Sequence, residues 1–310
     1  MTGRKYALKE ELTFRDRAFL AIRGIGSLAP KLGLVKKPKH HKKDGVTFIV
    51  GVKDEERWIK SCIHSIQHVA DEIIIVDSSV EDNTTKIVES LAADNPKIKH
   101  IKFYYSGYNA IALAYHIGLV SASYKWIFKW DSDLVVKSPE AIQEWVDRLK
   151  RLDPNRYYAI DLFRINFMGD LGHLSRSEPF ACNGVRIFTW SSGLHVELKG
   201  NDGEQVIGNS IWGCRFPLYY KVLRWNDPYI FHCNIKNPKR LFIRKYWYDY
   251  MIHKEERFKN LEEYAAYRIQ QDDGISMEEG IKTAMELIMK DTIPYDKTRF
   301  GELPEIIKNV

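Results

Sequence analysis

Residues 126–136 read WIFKWDSDLVV, and the interpretation of this stretch decides the fold. A mostly apolar run enters Asp131-Ser132-Asp133, and a second apolar patch leaves it. An apolar run of this length between turn signals predicts a buried strand. Two carboxylates two residues apart project to the same side of an extended backbone. At a strand's end they make a hard, doubly negative oxygen site. Such a site suits Mg²⁺ or Mn²⁺ carrying a diphosphate, because these ions take one or two protein carboxylates plus phosphate oxygens. The competing reading is a polar turn in which Asp133 caps the next element. Asp-x-Asp alone is common, so the residues around it must choose.

Upstream, strand and helix patterns alternate. VTFIVGV (46–52) is an apolar, β-branched run and predicts a first buried strand, followed by Lys53-Asp54-Glu55-Glu56. Ile59, Cys62, Ile63, Ile66 and Val69 mark one face of a helix. Ile73-Ile74-Ile75-Val76-Asp77 predicts the second strand, and a polar loop runs from Ser78 to Thr85. A helix with Ile87, Val88 and Leu91 on one face comes next. Residues 98–105 predict a third strand, 109–122 a third helix, and the strand ending at Asp131 is the fourth. Pro139 suits the first turn of a further helix, with Ile142, Trp145, Val146, Leu149 and Leu152 facing inward. Such alternation implies right-handed βαβ units and a mostly parallel sheet covered on both faces. Ligands of open sheets bind beyond the carboxyl ends of the strands. Glu55, Asp77, Asp131 and Asp133 stand at those ends. Neither GxxxxGK[ST] nor GxGxxG is present, so phosphates are expected to be met through a metal rather than a glycine-rich loop.

After residue 153 the alternation stops. Residues 156–235 predict short, partly antiparallel strands with long loops. Residues 236–310 predict helices, among them KRLFIRKYWYDYMIHKEERF (239–258) and Met277 to Met289. The Arg/Lys and Tyr/Trp interleaving there is read as a packed helix with a basic outer face, because no nucleic-acid-binding motif accompanies it.

The chain has 310 residues, 45% hydrophobic and 13% aromatic, ample for a large α/β domain with appendages. The net charge of +6 is concentrated near the N-terminus, as in Lys36-Lys37-Pro38-Lys39-His40-His41-Lys42-Lys43. Between Phe14 and Leu34 the apolar residues fall at helical spacing beside Arg15, Arg17, Arg23 and Lys31. A basic amphipathic helix of this kind either lies in a membrane interface or packs on the body or a partner. Cys62, Cys182, Cys214 and Cys233 show no metal-ligand spacing and read as reduced thiols. No signal peptide or membrane-length apolar run is present. The expected location is the cytoplasm, with peripheral membrane contact through residues 1–45 left open.

VTFIVGVKDEERWIKSCIHSI, EIIIVDSSVEDNT and ALAYHIGLVSASYKWIFKWDSD together resemble a GT-A glycosyltransferase of the family-2 type. They follow, in order, that family's first strand and acidic turn, its Val-Asp strand with Ser-x-Asp-x-Thr loop, and its Asp-x-Asp strand. VRIFTWSSGLHVEL and YIFHCNIKNPKR are similar to late segments of the branch that includes lipopolysaccharide-core and peptide glycosyltransferases. The resemblance implies a GT-A, Rossmann-like sheet, with residues 1–45 as an N-terminal segment, 46–235 as catalytic domain and 236–310 as a helical region. Within 46–235, residues 46–136 would be the nucleotide half and 137–235 the acceptor half. It also implies inverting transfer from a nucleoside diphosphate sugar, UDP-linked by first expectation, with Mn²⁺ or Mg²⁺. Val52, Lys53, Glu55, Asp77, Asp82 and Asp131 would surround the nucleotide, and Asp131, Asp133 and His232 the metal. The acceptor would be a saccharide or glycolipid of a cell-surface polysaccharide or lipopolysaccharide. A carboxylate beyond the Asp pair would serve as general base. Glu197 is the first candidate, with Asp202, Glu204, Glu178 and Asp170 as alternatives. Three positions depart from the pattern. Asp54 stands where asparagine is usual, as does His116, and His195-Val196-Glu197 replaces adjacent His-Glu. Two other classes stay open: a nucleotidyltransferase, and a non-catalytic sugar-nucleotide-binding protein.

Overall fold

The computed structural model describes residues 21–104, 110–198, 204–206, 216–235, 238–247, 249–250 and 258–308. Its centre is one twisted sheet. β1 (Lys43–Val52), β2 (Glu72–Asp77), β3 (Ile98–Lys102) and β4 (Tyr124–Asp131) run parallel in the order β3-β2-β1-β4. The interposed helices are α1 (Ile59–Ile66), α2 (Thr84–Asp94) and α3 (Ala110–Ser121). These strands read as continuous apolar runs because both faces are covered. One face packs Phe48, Val50, Ile73, Phe128 and Trp130 against Ile59, Ile63 and Val88. The other packs Ile49, Ile74 and Ile127 against Tyr115 and Leu119 of α3. Gly118 allows that approach: a Cβ there would sit 2.2 Å from Cγ2 of Ile49.

Past Asp133 the chain forms β5 (Leu134–Val136) and α4 (Pro139–Lys150). The Ser138 hydroxyl accepts from the Ala141 amide and caps α4, with Pro139 in its first turn. β6 (Tyr157–Met168), β7 (Asp170–Ser175) and β8 (Phe180–Thr189) follow. β8 inserts antiparallel between β6 and β4, so the second half extends the same sheet. The expectation of short strands is thus only partly met, since β6 has 12 residues and β8 has 10. β9 (Val196–Leu198) and β10 (Glu204–Val206) form a separate hairpin. β11 (Tyr220–Trp225) and β12 (Ile230–His232) both lie parallel to β6, and β12 also pairs antiparallel with β5.

The C-terminal region holds α5 (Pro238–Ile243), α6 (Leu261–Asp272) and α7 (Met277–Lys290), then β13 (Thr292–Pro294), α8 (Lys297–Phe300) and α9 (Glu305–Lys308). The single helix expected over 239–258 is instead α5 followed by a 3₁₀ turn at Arg244–Tyr246, and residues 251–257 lie outside the described residues. Phe242 and Tyr246 turn into a cluster with Tyr264 and Ile269, so burial of the aromatic face outweighs helical continuity. The capping box between Ser276 and Glu279 starts α7 where the periodicity predicts.

Residues 21–26 are helical and dock on the body. Arg23 is buried and donates to the carbonyls of Phe216, Pro217 and Tyr220 at 2.6, 3.2 and 3.4 Å. The packing alternative therefore holds for this part of the N-terminal segment. Ile22, Ile25, Leu32 and Leu34 nevertheless remain exposed. Among the described residues no helix is long and apolar enough to cross a membrane. Cys62, Cys182 and Cys233 are buried free thiols, and Cys214 lies outside the described residues.

Candidate active site

Register brings the acidic strand ends to one rim. Val52 pairs with Asp77, and Gly51 with Asp131, so three adjacent parallel strands finish level. Beyond β1 the chain turns through Asp54, a non-glycine residue at φ 51°. Aspartate and asparagine tolerate this left-handed conformation because a short polar side chain can bond locally. Here Asp54 Oδ1 accepts the Val80 and Glu81 amides at 2.7 and 2.9 Å, and its own amide donates to Ser79 Oγ at 2.8 Å. The pairing continues outward. The Glu55 amide donates to Thr84 Oγ1 at 2.7 Å, the Glu56 amide to Asp82 Oδ2 at 3.0 Å, and the Asn83 amide to Glu56 Oε2 at 3.0 Å. The loops after β1 and β2 are thereby closed onto each other.

Within this frame Val52 is buried, and its carbonyl takes the Ser78 amide at 3.0 Å and hydroxyl at 3.2 Å. Lys53 is exposed, while its carbonyl accepts from Arg240 Nη2 at 2.6 Å. Arg240 also donates to the Asp54 carbonyl and lies 3.8 Å from Glu55 Oε1. It thus clamps the acidic turn from α5. Asp82 accepts from the Glu56 and Thr84 amides, so its carboxylate stabilises the loop pairing. Asp77 is buried, taking the Ser79 amide at 2.9 Å, the Thr85 hydroxyl at 2.7 Å and His100 Nε2 at 3.1 Å. Burial pushes its carboxyl up, but the hydrogen bonds from Ser79, Thr85 and His100 win and hold it below its ordinary value.

Asp131 Oδ1 receives two strong bonds, from Tyr115 Oη at 2.7 Å and from Arg186 Nη1 at 2.7 Å. Burial works to raise this carboxyl. The Arg186 and Lys129 charges, with the two hydrogen bonds, overcome that and hold it far below the carboxylate range. Asp133 is buried and lies 3.5 Å from His232 Nε2. Strand pairing creates this contact, since His232 of β12 sits opposite Leu134 of β5. His232 Nδ1 lies 3.2 Å from Asn166 Oδ1. A bond from Nδ1–H to Asn166 leaves the Nε2 lone pair of the neutral ring facing Asp133, as when an imidazole and a carboxylate share a cation.

Among the described residues no three His, Cys, Asp or Glu side chains converge as a closed metal cage. An ion carried by a diphosphate needs only one or two carboxylates, because phosphate oxygens complete its shell. Asp133, Asp131 and His232 fit that use by their donor chemistry.

Of the candidate general bases, Glu197 lies on β9, paired with Gln205 of β10. The neighbouring Val196 amide reaches His116 Nδ1 at 3.4 Å, which sets this hairpin against α3. Asp202 lies outside the described residues. Glu178 is exposed between β7 and β8. Asp170 bonds the Gly172 amide and His173 within its own hairpin, both at 2.7 Å. Sequence reasoning assigned no role to Arg186, Arg164, Tyr115, His100 or Arg240. For Arg164 a signal existed: with Asp161 and Asn166 it is one of three polar residues inside the mostly apolar run of β6.

The model for glycosyl transferase family 2 matches residues 47–216, more than half of the chain. No curated protein sequence matches it. A crystal structure of S. aureus TarS 1-349 aligns with a TM-score of 0.42 at 13% identity, over 74% of this chain and 72% of that one. The same protein in complex with UDP-GlcNAc aligns with a TM-score of 0.39 at 14% identity, over 77% and 75% of the two chains. A mycobacterial protein gives 0.31 at 19% identity, over 47% and 45%. These are distant likenesses. The family match spans β1 to the end of β8 and the β9–β10 hairpin, the region that carries the acidic rim, and by it this chain belongs to glycosyl transferase family 2, with a GT-A fold.

Proposed function

We propose that the chain is a metal-assisted, inverting glycosyltransferase that moves a sugar from a nucleoside diphosphate, UDP by first choice, to a saccharide or glycolipid acceptor of a cell-surface polysaccharide or lipopolysaccharide. The observation that carries this reading is the Asp133–His232 contact beside the Asp131–Arg186 pair, on the rim shared with Asp77 and Glu55. Glu55 and Asp77 bind base and ribose from a turn already fixed by its hydrogen bonds. Asp131 and Asp133, with His232, would hold Mg²⁺ or Mn²⁺, and the ion would supply positive charge against that developing on the leaving group. Arg186 keeps Asp131 ionised and oriented. Glu197, or Asp202 beside it in sequence, takes the proton of the attacking hydroxyl from the opposite face of the sugar.

A nucleotidyltransferase would present a basic, glycine-rich loop after β1, where this chain has Lys53-Asp54-Glu55-Glu56. Incubation with Mn²⁺ and a panel of UDP-, GDP- and dTDP-sugars distinguishes the readings. Release of nucleoside diphosphate from one donor, stimulated by acceptor, is expected. Pyrophosphate exchange would instead indicate nucleotidyl transfer, and binding without turnover a non-catalytic role. Near-native turnover of Glu197→Gln would remove Glu197 as base.

The exposed Ile22, Ile25, Leu32 and Leu34 beside Lys31, Lys36 and Lys37 support peripheral membrane contact. Flotation with anionic liposomes should occur for the wild type and be lost in the Ile25→Glu/Leu32→Glu variant. Equal flotation of both proteins would remove this contact.

A further inference from the structure

Arg164 is a charged group that the transfer reaction, as described, leaves unused. It lies on β6 two residues before Asn166, so the two side chains leave the strand on the same face. Asn166 holds His232, and His232 faces Asp133. Arg164 therefore flanks the acidic corner, with Asp131, Asp133, Glu178 and Arg186 all within electrostatic reach. Its side chain is half-buried, and Nε is buried without a partner. Among the described residues its guanidinium donates no hydrogen bond and forms no ion pair. Arg186, by contrast, is engaged with Asp131 at 2.7 Å.

A guanidinium stays charged and carries five donors in a rigid fork. Enclosing it without acceptors is costly, and native proteins tolerate such a group chiefly where a ligand or ordered water completes it. The bland alternative is a strand arginine completed by water. Its position argues otherwise: it flanks the acidic corner at which the proposed donor diphosphate would lie. The fork matches phosphate oxygens in bidentate geometry.

We propose that Arg164 is an oxyanion-binding residue of the transfer site, taking a phosphate-type group from either the donor diphosphate or an anionic acceptor. The proposal builds on the glycosyltransferase reading and names a contact within it.

Calorimetric titration of wild type, Arg164→Gln and Arg164→Lys with UDP and with uridine, in Mn²⁺, tests the donor source. Thermal shift of the UDP-saturated proteins on adding inorganic phosphate tests the acceptor source. If the donor diphosphate is the ligand, Arg164→Gln weakens UDP tenfold or more and leaves uridine unchanged, with Arg164→Lys in between. If the acceptor brings the anion, UDP binding is kept and the stabilisation by phosphate disappears. In both cases the unliganded Arg164→Gln protein melts at or above the wild-type temperature, because an unpaired enclosed charge has been removed. Wild-type binding of UDP and phosphate by Arg164→Gln would overturn the proposal. So would a variant that melts well below wild type and loses uridine as strongly as UDP, which is the signature of a structural role. Failure of the wild type to bind any of UDP, GDP or dTDP would count against the donor reading itself, and the phosphate comparison would still decide Arg164.

Discussion

Asp133→Asn is expected to lower sugar transfer by roughly 10²–10³-fold or more, on the scale seen when one preorganised electrostatic contact to a developing charge is removed. The substitution is nearly isosteric and leaves the fold intact. Asparagine keeps an oxygen toward His232 but removes the charge that holds the cation, so a far higher Mn²⁺ concentration should be needed for half-maximal rate. Asp131→Asn should behave differently. It keeps an oxygen for the bonds from Tyr115 and Arg186 but removes the negative charge facing Arg186, whose side chain is only 7% exposed. Weakening the counter-charge of an enclosed arginine destabilises the protein, so this variant should lose melting temperature as well as rate. Metal-dependent initial rates and melting curves of the two variants separate these effects. Near-native turnover of Asp133→Asn at low Mn²⁺ would refute the metal role of Asp133.

A second large effect is expected at Asp161, in the middle of β6. The residue is fully buried, and neither carboxylate oxygen has a hydrogen-bond partner. Arg224 Nη2 lies 3.9 Å away, opposite it in register on β11. Burial raises the carboxyl to about 7, against the smaller opposing pull of Arg224. The sign of the stability effect follows. A carboxyl whose folded pKa lies above its unfolded value keeps its proton in the native state while the unfolded chain releases it. Its contribution is fully present below pH 3.8 and is lost as pH rises through about 7. The difference between those two values corresponds to on the order of 4 kcal/mol. Asp161→Asn has no charge to bury and should flatten this dependence. It should be more stable than wild type at pH 8 and no more stable at pH 5. Urea midpoints across that range measure it, and parallel curves for the two proteins would defeat the argument.

The four parallel strands and their acidic rim were legible in the sequence because their logic is local. Apolar runs ending in Glu55, Asp77 and Asp131 identify both the strands and the rim, and parallel pairing then levels those ends without further information. Asp133 follows from spacing alone. The cationic partners were not legible. Arg186 reaches Asp131 across 55 positions, and Arg240 reaches Asp54 across 186. Both contacts depend on antiparallel insertion of β8 and on the fold of the C-terminal helices, neither of which has a local pattern. His100 was hidden for a related reason: it sits between Lys99 and Ile101 on the half-polar β3 and looks like an ordinary edge position until β2 supplies Asp77. The helix over 239–258 shows the opposite failure. Its periodicity is real, but burial of Phe242 and Tyr246 in a tertiary cluster overrides it.

The closed pair of loops after β1 and β2 has a consequence for how specificity can change. Because Asp54, Glu55 and Glu56 are already bound to Ser79, Thr84, Asp82 and Asn83, a nucleotide bound there as proposed would meet a rigid seat, with little ordering left to oppose its binding. A substitution at any one of these positions disturbs several others, so the seat is resistant to drift. The acceptor side is joined to it through the edges of β6 and β8 and carries no comparable interlock in the described residues. Descendants of this enzyme, natural or engineered, should therefore diversify in what they glycosylate far more readily than in the nucleotide they consume.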